Sequence, residues 1–388
     1  DAVMARLDEI FDLQMGKTPS RNNADYWTDG QYDWVSIADL GSYQKYVEDT
    51  KERISALAVQ ESGIKSVPAN TVIMSFKLSL GKTAITQEPV YTNEAIMAFI
   101  PTEKYAVLPD YFYYLFSAKD WTKGTNRAVM GTTLNKATLG AVSITVPPID
   151  EQRKIAAILD KVSDLIAKRR QQLDKLDEMV KARFVEIFGE PDENPKHWQE
   201  DELSHHLKVI GGYAFKSDGF TDEGIPVLRI GNINSGHFLP VNMVYWPDDL
   251  ALARYKVFPG DLVMSLTGTV GKDDYGNVCI LGADYDEYYL NQRNAKLSIE
   301  RSLNKCYFSE LLKFPRIKKR LTGISRGIRQ ANISNKDILT LRVPMPPIEL
   351  QEQFAAFVEQ TEKTKIIISH SLEKLETLKK ALMQEYFG

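Results

Sequence analysis

The chain has 388 residues, enough for two domains of ordinary size plus connecting structure, and its 43% hydrophobic and 26% charged side chains belong to a folded globular protein. No apolar run approaches the roughly 20 residues that a membrane helix needs, and DAVMARLDEIF lacks the basic, apolar, small-residue order of a secretory leader. Two cysteines, Cys279 and Cys306, give neither a disulfide framework nor a paired metal motif, and the formal net charge of -4 excludes a uniformly basic surface. The expectation is a cytoplasmic chain without membrane contact, whose nucleic-acid contacts, if any, come from local clusters.

Residues 1–146 carry 14 basic and 17 acidic side chains and read as a mixed, β-rich domain. Short apolar runs such as TVIMSF, Thr71 to Phe76, lie between Gly and Pro punctuation, and DYFYYLFSAKDW, Asp110 to Trp121, reads as helix. SLGKT, Ser79 to Thr83, resembles the end of a phosphate-binding loop, but Phe76 stands where the first glycine of that motif is required. A strand-turn with an exposed lysine explains it better. Cations near such turns are this domain's candidate DNA contacts: Lys77, Lys82, Lys119, Lys123 and Arg127.

At VPPIDEQRKIAAILDKV, Val146 to Val162, the pattern changes. The Pro-Pro pair presets a first helical turn, and Asp150 and Glu151 suit a helix N-terminus. Neutral or apolar positions then recur at steps of four and three through Ile155, Leu159, Val162, Ile166, Leu173, Leu176 and Val180, interrupted by Arg169. Gly189 ends the run before the Pro-rich EPDENP. A continuous helix over 147–190 would be on the order of 60 Å long.

Residues 191–344 form a second mixed domain that matches the first only in landmarks. Gly16 faces Gly212, VSIADL faces LRIGNI, and VIMSFKLSLGK ending at Lys82 faces LVMSLTGTVGK ending at Lys272. Asn93 faces Asn291. The drifting offsets mark loop insertions on a shared scaffold. Helix is expected within CYFSELLKFPRIKKRL, which overlaps KFPRIKKRLTGISRGIR, Lys313 to Arg329, with seven basic residues and no acidic one. Its candidate contacts are Arg316, Lys318, Lys319, Arg320, Arg326 and Arg329, joined by Arg229, Lys272 and Arg293. Lysines suit phosphates; Arg, Asn and Gln can also read base edges. His197, His205, His206, His237 and His370 show no metal-ligand spacing, with the adjacent pair expected to point apart. No dinucleotide or methyl-donor fingerprint and no catalytic triad order appears.

Residues 345–388 repeat 147–190 without a gap: MPPIELQEQFAAFVEQT opens at Met345, and LEKLETLKKALMQEYFG faces LDKLDEMVKARFVEIFG. The second stripe runs through Phe354, Val358, Thr361, Ile368, Leu372, Leu375 and Leu382. Two equivalent stripes in one chain most simply bury each other, antiparallel if the halves are related by a pseudo-two-fold axis; the alternative is that each helix packs on its own domain. The expected architecture is α+β: two mixed β-rich domains, 1–146 and 191–344, separated by two long antiparallel coiled-coil helices.

Pro147, Pro148, Ile149 and Gln152, repeated as Pro346, Pro347, Ile348 and Gln351, together with GKTPS plus WVSIADL and GGYAFKS plus VLRIGNI, give the chain a resemblance over essentially its whole length. It resembles the specificity subunit of type I restriction-modification enzymes. The second domain opens at Trp198, for which the first has no counterpart. The resemblance implies that each β-rich domain is a target-recognition domain reading one half of a split, asymmetric DNA sequence, with the coil setting the spacer. It also implies two methyltransferase subunits that carry S-adenosylmethionine and methylate adenine at N6, and a restriction subunit using ATP with Mg for translocation and cleavage. No cofactor and no catalysis are then expected in this chain. Docking of the methyltransferases on the repeated helices would engage Gln152, Ile155, Leu159, Gln351, Phe354 and Val358. Two other classes stay open, a stand-alone bipartite DNA-binding regulator and a coiled-coil scaffold that binds no DNA.

Overall fold

The computed structural model describes residues 2–77, 79–122, 134–323 and 330–388. The chain divides into two compact units, residues 1–170 with 370–388, and residues 171–369.

The first unit is built on a four-stranded antiparallel sheet in the order Phe11–Met15, Ile96–Pro101, Val72–Ser75, Thr83–Ile85. Its inner strand VIMS is buried at every position, because successive side chains enter different cores. Val72 and Met74 pack with Phe11, Phe99, Phe112 and Phe116, the last two from the helix Pro109–Ala118. Ile73 faces Val35, Leu40 and Val90 beneath a smaller sheet in which Tyr32–Val35 lies between Glu52–Ile54 and a parallel partner, Tyr91–Thr92. Val3–Arg6 pairs with Ser143–Val146, the strand that leads into the first long helix.

The second unit repeats this scheme. Leu207–Gly211, Asn294–Ile299, Leu262–Ser265 and Val278–Ile280 form a sheet of the same order. Leu262 and Met264 enter one core while Val263 enters another. Ile225–Leu228 again runs parallel to a partner, Tyr288–Leu290, and Glu200–Glu202 pairs with Arg342–Pro344. Two landmarks have a direct physical cause. A Cβ on Gly16 would lie 2.2 Å from the Asn93 carbonyl oxygen, and one on Gly212 would lie 2.1 Å from that of Asn291, so only glycine fits. The side chain of each asparagine accepts from the amide two residues on, Ala95 at 2.8 Å and Arg293 at 3.1 Å.

The two long helices span Ile149–Phe188 and Ile348–Phe387, 40 residues each. The expected alternatives prove to be joined. In the first unit Ile155, Ala156 and Leu159 lie in the domain core, and Leu382, Met383, Tyr386 and Phe387 of the other helix pack on the same core. In the second unit Val180, Phe184 and Phe188 share a core with Phe354. Polar contacts between the helices fit an antiparallel pair within each unit: Arg169 Nε donates to Ser371 Oγ at 3.1 Å and Arg170 pairs with Glu376 at 2.6 Å in the first, and Lys365 pairs with Asp177 at 2.8 Å in the second. Neither long helix is apolar enough to cross a membrane.

Candidate nucleic-acid interface

The repeated Gln of each Pro-Pro opening lies inside its unit. Gln152 is fully buried; its amide donates to the carbonyls of Ala106 at 2.8 Å and Pro147 at 2.9 Å, and its oxygen accepts from Leu108 N at 2.9 Å. Gln351 does the same with Pro346 at 2.8 Å, Ser302 at 3.4 Å and Asn304 N at 2.8 Å. Ile155, Leu159 and Phe354 are core residues, and Val358 packs half-buried against the core. The expectation of a docking surface is therefore corrected at Gln152, Ile155, Leu159, Gln351 and Phe354, which are buried where each helix is fastened to its own domain, while Val358 is half-buried. Large apolar side chains that are exposed on these helices are Leu165, Met179, Ile366, Ile367 and Leu378.

Within the basic run Pro315–Thr322 forms a helix, with Pro at its first turn and Lys319 and Arg320 in its last, where cations favour the helix dipole. Ile317 and Leu321 are buried beneath it. Folding supplies the carboxylates that the run itself lacks. Lys313 pairs with Glu310 at 2.6 Å, Arg316 approaches Asp192 at 4.0 Å, and Arg320 pairs with Glu200 at 3.2 Å while donating to the Arg342 carbonyl at 3.0 Å. Lys319 is exposed and makes no ion pair among the described residues. Lys318 is the exception in the other direction: its side chain is only 10% exposed and its ammonium bonds Asp273 and Asn277. As a DNA contact Lys318 is corrected to an internal partner of the 273–277 turn.

That turn carries the exposed Lys272, and Arg293 is exposed on the turn between Tyr288–Leu290 and Asn294–Ile299. Arg229 is half-buried and directs its guanidinium to the Asn242 carbonyl. A hydrogen bond from the Thr269 amide at 2.8 Å holds the Asp274 carboxyl below the ordinary range, so an anion persists beside Lys272. Asn234, at the end of the helix Ile230–Ile233, donates to the Asp274 carbonyl at 2.7 Å, which ties this turn to the helix that follows Arg229.

The first unit brings the matching elements together. A Cβ on Gly41, in the helix Ile37–Ser42, would lie 2.6 Å from the Nζ of the exposed Lys82. Gly81 before it has φ 83° and sits over Trp121. Lys77 and Lys119 are half-buried, with Nζ 5.2 Å from the Phe76 ring and 5.8 Å from the Trp121 ring. Lys123 and Arg127 in this unit, and Arg326 and Arg329 in the other, lie outside the described residues.

The sequence reading missed the amide and hydroxyl network of Asn234, Ser265 and Asn277, which has no counterpart in spacing or charge. It also expected His205 and His206 to point apart. The turn at Leu203–His205 instead brings both imidazoles onto Asp201, at 2.9 Å each, and His206 also reaches Ser302 Oγ at 2.7 Å.

The sequence profile of the family described as "Type I restriction modification DNA specificity domain" matches residues 1–177 and again 195–377. The chain is 28% identical over 278 residues to the type I restriction enzyme MjaIX specificity subunit of Methanocaldococcus jannaschii, covering 66% of this chain and 63% of that protein. It is 24% identical over 406 aligned positions to the MjaVIII specificity subunit of the same organism, covering 99% and 91%. Among solved structures, the S subunit of a type I restriction-modification system from M. genitalium superposes with a TM-score of 0.59 at 14% identity, covering 100% of this chain and 96% of that one. A chain from a structure described as "complex assembly and conformational transition of the type I R-M system" gives 0.60 at 17% identity, covering 100% and 97%. At these identities the structures establish the fold.

Proposed function

The chain belongs to the type I restriction-modification DNA specificity family, and from that premise we propose that its two units read the two halves of one split, asymmetric DNA sequence on behalf of partner enzymes. The observation that carries this reading is one framework used twice with different surfaces. Both units have the same sheet order and the same glycine-asparagine junction, yet buried Ala95 stands where exposed Arg293 does, and the short turn at Lys82 corresponds to the longer one at Lys272. A shared scaffold with unlike contact residues suits a non-palindromic target.

In this reading the contacts come from Lys77, Lys82 and Lys119 in the first unit and from Arg229, Lys272, Arg293, Arg316, Lys319 and Arg320 in the second. The chain itself is non-catalytic. Two methyltransferase subunits supply S-adenosylmethionine and methylate adenine at N6, and a restriction subunit with ATP and Mg adds translocation and cleavage where it is present. The acidic total and the internally paired cations support weak DNA binding by the isolated chain and a dependence on those partners.

The test is a long-read methylation map of cells that lack their own modification systems and express this chain with its methyltransferase partner, beside the partner alone. A split asymmetric motif carrying N6-methyladenine only when this chain is present is the expected result. No new methylation from a folded, associated pair would refute the reading.

A further inference from the structure

Lys318 sits in the middle of a basic helix, between cations that face solvent, yet it points inward. Its ammonium donates to Asp273 and, at 2.5 Å, to Asn277 Oδ1. Asn277 Nδ2 donates to Asn234 Oδ1 at 2.7 Å, an oxygen that also accepts from Ser265 Oγ at 3.0 Å. Asn234 returns a hydrogen bond to the Asp274 carbonyl at 2.7 Å. One unbroken chain of hydrogen bonds thus links the basic helix, the turn bearing Lys272 and the short helix that starts after Arg229. Among the described residues, these carry all of the second unit's candidate DNA contacts but Arg293.

We propose that Lys318 is a positioning residue: it leaves DNA to its neighbours and holds the basic helix and the Lys272 turn in the placement that reading of the second half-site requires. The inference rests on the reading under Proposed function. Three ammonium donors suit this junction, since they satisfy side chains from one turn in different directions. A connected polar network fixes one arrangement of its elements more sharply than apolar packing would. Asp273 is 84% exposed, so its carboxylate is hydrated whether or not Lys318 is present; it is the buried Lys318 ammonium, 10% exposed, that needs the pair. Among the described residues the first unit shows no such network. Its Ser75, in the strand position of Ser265, is occupied within its own turn, accepting from Lys82 N at 3.1 Å and donating to the Ser79 carbonyl. Loss of the network should therefore affect one half of the target only.

The experiment uses the complete complex with its methyltransferase partner, prepared with wild-type chain, Lys318→Met or Asp273→Asn, and fluorescent duplexes carrying the mapped motif or a base change in one half-site. Affinities are measured across a salt series. The expected result is that both variants lose about tenfold of the discrimination against changes in the second half-site. They should keep their discrimination at the first half-site and the salt slope of the wild type. Asp273→Asn keeps the lysine and alters only an exposed side chain, so the outcome does not depend on Lys318→Met folding well. A salt slope shallower by about 0.9 in Lys318→Met, with discrimination intact, would make Lys318 a phosphate contact and overturn the proposal. A lowered melting temperature with discrimination unchanged in both variants would overturn it in favour of a purely structural ion pair. A wild-type complex without half-site preference would remove the parent reading, and this one with it.

Discussion

Gln152 and Gln351 show how a repeated residue can be read correctly as important and wrongly as exposed. A Gln amide offers two donors and one acceptor site, and each of these side chains meets two carbonyls and one backbone amide that the Pro-Pro turn and the neighbouring loop would otherwise leave unpaired in the core. Replacing either by Ala is expected to lower the unfolding free energy by about 1–3 kcal/mol in a chemical denaturation experiment. Gln152→Glu should do no better, because it loses the donor and buries a charge; a neutral Gln152→Ala would contradict the role described. Asp201 is the second residue whose role comes from folding alone. Hydrogen bonds first from His205 and then from His206 bring its carboxyl down to about 2. A carboxyl held below its unfolded value near 3.9 stabilises the fold fully above about pH 4, and that contribution is lost as pH falls towards 2. Asp201→Asn should therefore unfold with a shallower acid dependence than wild type between pH 4 and 2, measured by denaturant midpoints across that range. Parallel acid profiles would show that the two imidazoles contribute nothing through this carboxylate.

At the scale of elements, the strands and helices were legible where apolar periodicity and punctuation agree. TVIMSF and DLVMSL became the inner strands, DYFYYLFSAKDW became a helix, and the helix-like stretch after Asn304 breaks at Phe314 and Pro315 into two pieces. Both 40-residue helices start and stop within a residue or two of their Pro-Pro and Gly signals. Charge was less legible, because a run of residues does not state its neighbours. The seven cations from Lys313 to Arg329 look like an open basic strip, yet Asp192, Glu200, Asp273 and Glu310 come from elsewhere in the sequence or the far side of a turn to meet four of them. Lys319 keeps an exposed, unpaired ammonium among the described residues and is the plainest candidate for a phosphate contact on this helix. In the assembled complex, Lys319→Gln should weaken binding to all sequences alike and reduce the slope of log affinity against log salt by about 0.9. A change that depended on sequence would instead mark Lys319 as reading a base, and no change would place it off the DNA.

At the scale of the whole molecule, the repeat builds a first unit that is not contiguous in sequence, residues 1–170 with 370–388, and a second that is, residues 171–369. Each core is closed by the start of one long helix and the end of the other, and the closing contacts match: Phe387 lies edge-on to Tyr111 at 5.5 Å in the first unit, as Phe188 does to Tyr307 at 4.8 Å in the second. Phe184 adds stacking on Tyr307 at 5.4 Å and an edge contact with Phe354 at 5.4 Å. The chain therefore couples distant sequence positions through hydrophobic burial, and a substitution should be felt in the unit it packs on rather than in the domain that precedes its helix. Phe387→Ala is expected to speed amide hydrogen exchange in Pro109–Ala118 and the strands beneath it, while Lys305–Leu311 keeps its protection. Phe184→Ala should do the reverse, at a cost of about 3–5 kcal/mol because its ring is 1% exposed and has no room to relax outward. Phe387 is half-buried, so its effect should be the smaller of the two. Loss of protection in Lys305–Leu311 on Phe387→Ala would mean that each long helix serves the domain that precedes it, and the crossed pairing of helix ends would have to be abandoned.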